Sequence, residues 1–126
     1  MNIKYIELKT GYNDDGPAWI GNVGESKSGK TFYFSDHAFQ RCHGVKGNYY
    51  DIESGEEYWI SNVKRDGLDR HWAGKGKIII DRKVIGEYLR LTGRSALDER
   101  QYMIEDIDDV FPTERIGGML NGKAPE

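Results

Sequence analysis

The chain has 126 residues with a formal net charge of −3, and 37% of its residues are hydrophobic. This length suits one domain that buries a modest core without metal or disulfide support. The chain lacks the strong basic excess that a dedicated nucleic-acid binder carries. No apolar run is long enough to span a membrane.

The cysteine content indicates the compartment of the protein, and the charge distribution indicates a division within the chain. The single cysteine, Cys42, permits no internal disulfide, and the opening MNIKYIELK lacks the apolar core of a secretory signal, so we expect a cytoplasmic protein. Residues 1–92 carry a net charge of +1, whereas residues 93–126 carry −4. We therefore divide the chain into a β-barrel-like domain with a covering helix, 1–92, and an acidic amphipathic helical tail with a frayed end, 93–126.

The first part of the chain shows the alternating, glycine-punctuated pattern of short β-strands. Their spacing in sequence order predicts an antiparallel meander closed into a small barrel, SH3-like in size. The predicted strands cover 3–8, 18–25, 30–35, 38–42, the two arms of a hairpin within 47–63, and 77–80.

After residue 80 the hydrophobic period becomes helical. Asp81 is a plausible N-cap, and Gly93 is a suitable stop for a first helix. A second helix is predicted from Ser95, with Leu97, Ile104, Ile107 and Phe111 along one stripe and Pro112 at its end. The fold class is therefore α+β, mainly antiparallel β, with one or two C-terminal helices.

The hairpin within 47–63 is the central element of the predicted fold. A three-residue loop, Glu53-Ser54-Gly55, needs a positive φ only at Gly55, where it costs little. This loop predicts the pairs Ile52 with Glu56, Tyr50 with Tyr58, and Tyr49 with Trp59. Because side chains alternate along a strand, it predicts a core face of Tyr50, Ile52, Tyr58 and Ile60 and an opposite face of Tyr49, Asp51, Glu57 and Trp59.

The stretch GESKSGKT, residues 24–31, fits the phosphate-binding P-loop pattern at every fixed position. A P-loop needs a helix directly after it, whose N-terminus favours the anion. Here Lys30-Thr31 leads into Phe32-Tyr33-Phe34, which is a β pattern. We therefore interpret the stretch as a hairpin turn at Lys27-Ser28-Gly29, and we expect no nucleotide cofactor.

Exposed aromatics beside charged groups are the candidate contact surface. Aromatic residues with arginine are the usual anchors of protein interfaces. The sequence therefore favours a non-enzymatic binding module that contacts a protein partner. Its candidate residues are Tyr49, Asp51, Glu57, Trp59, Arg65, Arg70, His71 and Trp72.

Several alternatives stay open. A small hydrolase-type enzyme could use Asp51, Glu57 or His71 in a cleft. The 64–77 loop could bind nucleic acid, although its interleaved acids Asp66 and Asp69 weaken the positive field. No cysteine pair has zinc-binding spacing, so a metal site would require His37, Cys42 and His71 to be brought together by folding. The tail could dock on its own barrel, pair with another copy or contact a partner.

Five stretches carry a resemblance: GPAWIG (16–21), SGKT (28–31), GNYYD (47–51), SGEEYWIS (54–61) and DRHW (69–72). On these stretches the run from Asp15 to Leu89 resembles a family of short bacterial proteins that has no established activity. Some members of that family carry the label deoxyxylulose-phosphate synthase. A thiamine-dependent enzyme of that kind needs large α/β domains, and this chain has neither their length nor their pattern. The tail beyond about Gly93 lies outside the resemblance.

Overall fold

The computed structural model describes residues 2–9, 16–67 and 76–121. In these residues the main element is a nine-stranded sheet, accompanied by two short α-helices. The strands are β1 Ile3–Leu8, β2 Ala18–Asn22, β3 Gly24–Glu25, β4 Thr31–Phe34, β5 His37–Arg41, β6 Tyr49–Asp51, β7 Glu57–Asn62, β8 Ile78–Asp81 and β9 Tyr102–Glu105. The helices are α1 Ile85–Thr92, which follows a 3₁₀ turn at Arg82–Val84, and α2 Thr113–Asn121.

The sheet is mixed but mainly antiparallel. Its strand order is β3-β4-β5-β6-β7-β1-β2-β8-β9. The run from β3 to β7 is the meander expected from the sequence, whereas β8 pairs in parallel with both β2 and β9. A parallel pair needs a long crossover, and α1 lies within the connection from β8 to β9. The α+β class with mainly antiparallel strands is therefore confirmed, and the parallel strands are an addition to it.

A single residue, Val23, separates β2 from β3, yet these two strands pair at distant places in the sheet. β2 pairs with β1, and β3 pairs with β4. Because the strands between them must bring both partners to one continuous segment, the sheet curls into a half-barrel. Gly21 marks how tightly the curl packs, since a Cβ there would lie 2.4 Å from Cε1 of Phe34.

Each face of the sheet carries its own hydrophobic core. The inside of the half-barrel holds Ile6, Val23, Phe34, Phe39, Tyr49, Tyr58 and Ile60. The other face packs against α1 through Tyr5, Ile20, Ile80, Val84, Tyr88 and Tyr102 among others. Strand β1 serves both cores, because alternate side chains point to opposite faces. At about 25 cal/mol per Å² of buried apolar surface, these two layers supply the main stabilisation of the fold.

The predicted register of the β6–β7 hairpin is wrong by one residue. Tyr49 pairs with Tyr58 and Tyr50 with Glu57, so the loop has four residues, 52–55. The cause is the Asp51 carboxylate, whose Oδ1 accepts from the backbone N–H groups of Glu53 at 2.8 Å and Ser54 at 3.2 Å. This turn, held by the Asp51 side chain, favours the four-residue loop over the predicted three-residue loop. Gly55 keeps its expected positive φ, 77°. Tyr49 and Asp51 therefore face inward.

The stretch from Gly24 to Thr31 forms a hairpin, as predicted. β3 and β4 pair antiparallel on either side of it, and Thr31 begins a strand rather than a helix. The loop is again one residue longer than predicted, because the N–H of Ser26 donates to the carbonyl of Thr31 at 2.9 Å. The predicted strand over 18–25 is divided at Val23.

The predicted helix from Ser95 is wrong. Residues 102–105 form β9, which pairs with the open edge of β8, and the helix begins only after Pro112. The apolar residues of this region satisfy a helical period, but the backbone of Tyr102–Glu105 gains a sheet partner that the period does not reveal. By contrast, Asp81 does cap the 3₁₀ turn and Gly93 does end α1, with a left-handed φ of 68°.

Candidate functional site

The residues predicted as one contact surface do not lie on one face. Tyr49 is 7% exposed and stacks on Phe32 inside the half-barrel, with ring centroids 5.0 Å apart. Trp59 lies on the outer face and is 42% exposed. Arg65 is exposed and lines a separate groove beside Asn62. Three further candidates lie outside the described residues, namely Arg70, His71 and Trp72.

Glu57 was predicted to pair with Asp51 and instead faces away from it. Its Oε1 accepts from the backbone N–H groups of Gly47 at 2.8 Å and Lys46 at 3.0 Å. These hydrogen bonds, that from Gly47 first, lower the pKa of the Glu57 carboxyl. Glu57 therefore holds the preceding loop in place, and the predicted carboxylate pair with Asp51 does not form.

A cavity of about 330 Å³ lies on the inner face of the half-barrel. Its floor consists of large apolar and aromatic side chains: Ile6, Trp19, Phe34, Phe39 and Tyr58. The rings are packed against one another, with centroids 4.7 Å apart for Phe39 and Tyr58 and 6.3 Å apart for Trp19 and Phe34. A concave site of this size and lining is typical of a small-ligand or side-chain pocket.

Two polar residues enter the cavity from the sharp turn between β4 and β5. Phe34 pairs with His37, so Ser35 and Asp36 make a two-residue loop. Ser35 has a φ of 52°, a left-handed conformation in a position where such turns usually carry glycine. Both Ser35 and His37 line the cavity. Backbone strain of this kind is concentrated at functional sites in proteins.

His37 is held by a buried carboxylate. Its Nδ1 lies 2.8 Å from Oδ2 of Asp51, whose residue is 3% exposed, whereas the His37 side chain is 49% exposed. An ionised carboxylate only accepts hydrogen bonds, so Nδ1 carries a proton, and in the neutral imidazole Nε2 is then an acceptor. The same charge acts on Tyr58: burial first, then Asp51, raises its pKa to about 12. Asp51 thus fixes both the orientation and the tautomer of His37.

One wall of the cavity is formed by the acidic segment 105–108. Glu105, Asp106 and Asp108 contribute to the lining, while Ile107 packs against the inner core. The segment is anchored by Asp81, which is fully buried and whose Oδ1 accepts from the N–H of Ile107 at 3.4 Å. Lys83 binds the same carboxylate, and this hydrogen bond raises the lysine's pKa. We refer to residues 105–108 as the acidic strap.

The first turn of α2 is attached beside the cavity by an arginine. Nε and an Nη of Arg115 donate to the carboxylate of Glu53 at 3.0 and 2.8 Å. The other Nη contacts Oδ1 of Asp36 at 3.2 Å. Ile116, the next residue, is fully buried. The hairpin tips next to the cavity therefore already bind one guanidinium group of the chain itself.

The cavity was not found from the sequence, although Asp51 was singled out. The missing partner is His37, which lies on the same face because Asp51 pairs with Phe39, two residues further along β5. Such diagonal neighbours are within reach only in the correct register. The short Ser35-Asp36 turn is the sequence feature that could have revealed the cavity. The residues on either side of such a turn lie together at one end of the hairpin.

The proposed set of His37, Cys42 and His71 is not assembled in the described part of the chain. His37 begins β5 and Cys42 follows its end, a separation of about 16 Å along an extended strand. His71 lies outside the described residues. Within residues 2–9, 16–67 and 76–121, no group of three or more histidine, cysteine or acidic side chains could hold a metal ion.

In the same ranges no helix is long and apolar enough to cross a membrane. Comparisons with protein-family models, curated proteins and solved structures found no match.

Proposed function

We propose that this protein is a binding module whose cavity takes a cationic side chain from an extended segment of a protein partner. The observation that carries the proposal is the pairing of an aromatic floor with an acidic wall around about 330 Å³. A lysine or arginine side chain has an apolar stem and a charged head, and these two surfaces match its two parts.

The aromatic floor favours a cation. The faces of aromatic rings are negative, and a cation over such a face gains about 0.5–2 kcal/mol, more when it is desolvated. Trp19, Phe34 and Tyr58 all contribute to the cavity lining. A neutral apolar ligand would also fill this part of the cavity, but it would make no use of the carboxylates of Glu105 and Asp108 in the lining.

The charges around the cavity favour the same ligand. Glu105, Asp106 and Asp108 line one wall, and Asp51 lies behind His37. Nε2 of His37, the acceptor left by the bond to Asp51, is suited to an N–H donor of an ammonium or guanidinium group. Arg115 supports the idea from within the chain, because its guanidinium is bound by Asp36 and Glu53 next to the turn that carries His37.

The test is a titration with acetyl-Gly-Lys-Gly-amide and acetyl-Gly-Arg-Gly-amide, followed by NMR at the Trp19 indole and the His37 ring. The norleucine peptide serves as the uncharged control. We expect the cationic peptides to shift both signals and the norleucine peptide to bind several-fold more weakly.

Two carboxamide variants locate the site. Glu105→Gln and Asp108→Asn should each weaken binding by about threefold, since an exposed ion pair contributes about 0.2–1 kcal/mol. Glu99→Gln is the matched control, because Glu99 is exposed and does not line the cavity. Equal affinity for the norleucine and lysine peptides would refute the proposal.

General-base catalysis is the second candidate, and the 2.8 Å bond from Asp51 to His37 favours it. A histidine oriented by a buried carboxylate is the usual arrangement for proton transfer. The residues differ from those expected from the sequence, because Glu57 faces away from Asp51 and His71 lies outside the described residues.

Hydrolysis of 4-nitrophenyl acetate tests this candidate. His37→Gln keeps a side chain that can bond to Asp51, and general-base catalysis requires it to lower the rate by a factor of about 10² or more. His43→Gln is the matched control, since His43 is exposed and away from the cavity. Equal rates for the wild type and both variants would exclude the candidate.

Four further expectations from the sequence belong to the proposal. We propose a cytoplasmic location because Cys42 is the single cysteine of the chain. We propose that the half-barrel corresponds to a barrel of SH3-like size. In this proposal the barrel is closed where β2 continues into β3. The exposed Trp59 remains a second, outer contact for the partner. Arg65, in its separate groove, and Arg70, His71 and Trp72 of the 64–77 loop remain further candidates for contact with the partner. Nucleic acid stays the less favoured partner.

A further inference from the structure

Strand β9 is the last strand of the sheet and has a neighbour on one side. It pairs in parallel with β8, and the carbonyl of Gln101 accepts from the N–H of Ile78 at 2.9 Å. In a parallel ladder alternate residues of a strand bond to the neighbour. Residues 101, 103 and 105 therefore face β8, and the N–H and C=O of Ile104 point outward from the sheet.

The outer edge of β9 is apolar, and among residues 2–9, 16–67 and 76–121 no other strand pairs with it. Met103 is 45% exposed and Ile104 is 42% exposed, and the two side chains lie on opposite faces of the strand. Natural proteins usually protect a sheet edge with lysine, proline or a bulge. The four residues Tyr102–Glu105 carry one charge, the carboxylate at the end, and no proline. This edge has the properties of a surface that accepts another strand.

The charges at the two ends of β9 indicate which partner strand would pair with its outer edge. Arg100 precedes the strand and Asp106 follows it, and their side chains are 90% and 80% exposed. If a second copy pairs antiparallel about Met103, Arg100 of each copy lies opposite Asp106 of the other. A parallel arrangement would instead place like charges side by side. The bonds that these residues make now, to Asp98 and Arg82, are exposed and easily exchanged.

We propose that two copies of this chain form a dimer by antiparallel pairing of their β9 strands, so that the sheet continues from one copy into the other. Such an interface uses the same surface of both copies and closes on a two-fold axis. The dimer proposal does not rest on the identity of the cavity's ligand, although Asp106 belongs both to the cavity lining and to the proposed interface. It gives a specific form to the expectation that the C-terminal segment pairs with another copy.

The experiment is sedimentation velocity on the full chain, from about 1 µM to 1 mM, which covers the usual range of weak dimer affinities. We expect a concentration-dependent dimer. Ile104→Pro removes the outward N–H but leaves the ladder with β8 intact, and it should abolish the dimer while the circular dichroism spectrum of the fold is kept.

Charge reversal gives a second, independent variant set. Arg100→Glu and Asp106→Arg should each raise the dissociation constant at least about tenfold, because both symmetric contacts become repulsive. The double variant R100E/D106R should restore the dimer, since opposite charges again face each other. Glu114→Arg, an exposed reversal on α2, is the matched control and should leave the dissociation constant unchanged.

Three outcomes of these two experiments overturn the proposal. They are a monomer at every concentration, a dimer that survives Ile104→Pro, and a double variant that dimerises no better than the single variants. Capture of a strand from a different protein by a chain that stays monomeric also overturns it, because β9 would then be an edge for a foreign partner.

Discussion

Tyr58 shows how one side chain belongs both to the core and to the cavity. Its residue is 4% exposed, and its ring packs edge-on against Phe39 at 4.7 Å. It also lies near the charge of Asp51, which, after burial, is the second cause of its raised pKa of about 12. The phenol is therefore kept neutral by the folded chain well above the pH at which a free tyrosine ionises.

The raised pKa predicts a loss of stability in alkali. A folded-state pKa above the unfolded value of 10 stabilises the protein fully below pH 10, and this contribution disappears as the pH rises towards 12. Between pH 9 and pH 11 the wild type should lose on the order of 1 kcal/mol through this group alone. Tyr58→Phe should not lose this amount. Urea unfolding of both proteins at the two pH values measures the difference, and parallel losses would contradict the assignment.

His37 and Asp51 set the limit of residue-level prediction. The hairpin sequence identifies Asp51, but a register that rests on the turn glycine alone places its carboxylate on the wrong face. The hydrogen bonds from Asp51 Oδ1 to the amides of Glu53 and Ser54 fix a longer loop. One residue of register decides whether this carboxylate meets Glu57 or His37.

At the scale of elements, the acidic strap depends on one buried side chain. Asp81 ends β8, caps the 3₁₀ turn through the N–H of Lys83, and accepts from the N–H of Ile107. A strand, a helical turn and the cavity wall are therefore connected at a single carboxylate. Its charge is balanced by the ammonium group of Lys83, 3.0 Å away.

Asp81→Ala should consequently lower the free energy of unfolding by about 2–4 kcal/mol, because it removes a cap and leaves buried polar groups without their partner. It should also speed hydrogen exchange at the Ile107 amide. Asp106→Ala removes an ion pair that is exposed on both sides, and it should cost no more than about 0.5 kcal/mol. Urea unfolding separates the two, and equal effects would show that Asp81 is not an anchor.

Elements were predictable where local pattern decided them. β1 has the predicted bounds, and the cap at Asp81 and the stop at Gly93 follow from residue chemistry. β9 was not predictable in this way, because its residues form a strand only by pairing with the free side of β8. The helical spacing of Leu97, Ile104 and Ile107 pointed to a helix, and a long-range partner overrode it.

For the whole molecule, the sequence indicated the class of fold but not its curl. Alternation and turn residues predict a meander, and β3 to β7 form one. The curl follows instead from the pairing of β2 and β3 at distant places in the sheet, and the cavity exists only because of that curl. The candidate site is therefore a product of topology. Its aromatic lining comes from the half-barrel, and its acidic wall comes from residues 105–108, which follow Trp19 of β2 by more than 80 positions in the sequence.

The central position of β1 has a consequence for synthesis. β1 lies between β2 and β7, and Lys4 pairs with Asn62. Because chains emerge at about 5–20 residues per second, β1 waits for several seconds before its later neighbour leaves the ribosome. Contacts so distant along the chain also slow folding. A nascent chain paused before β7 would expose a strand with one flank unpaired, and chaperones should engage it at that stage.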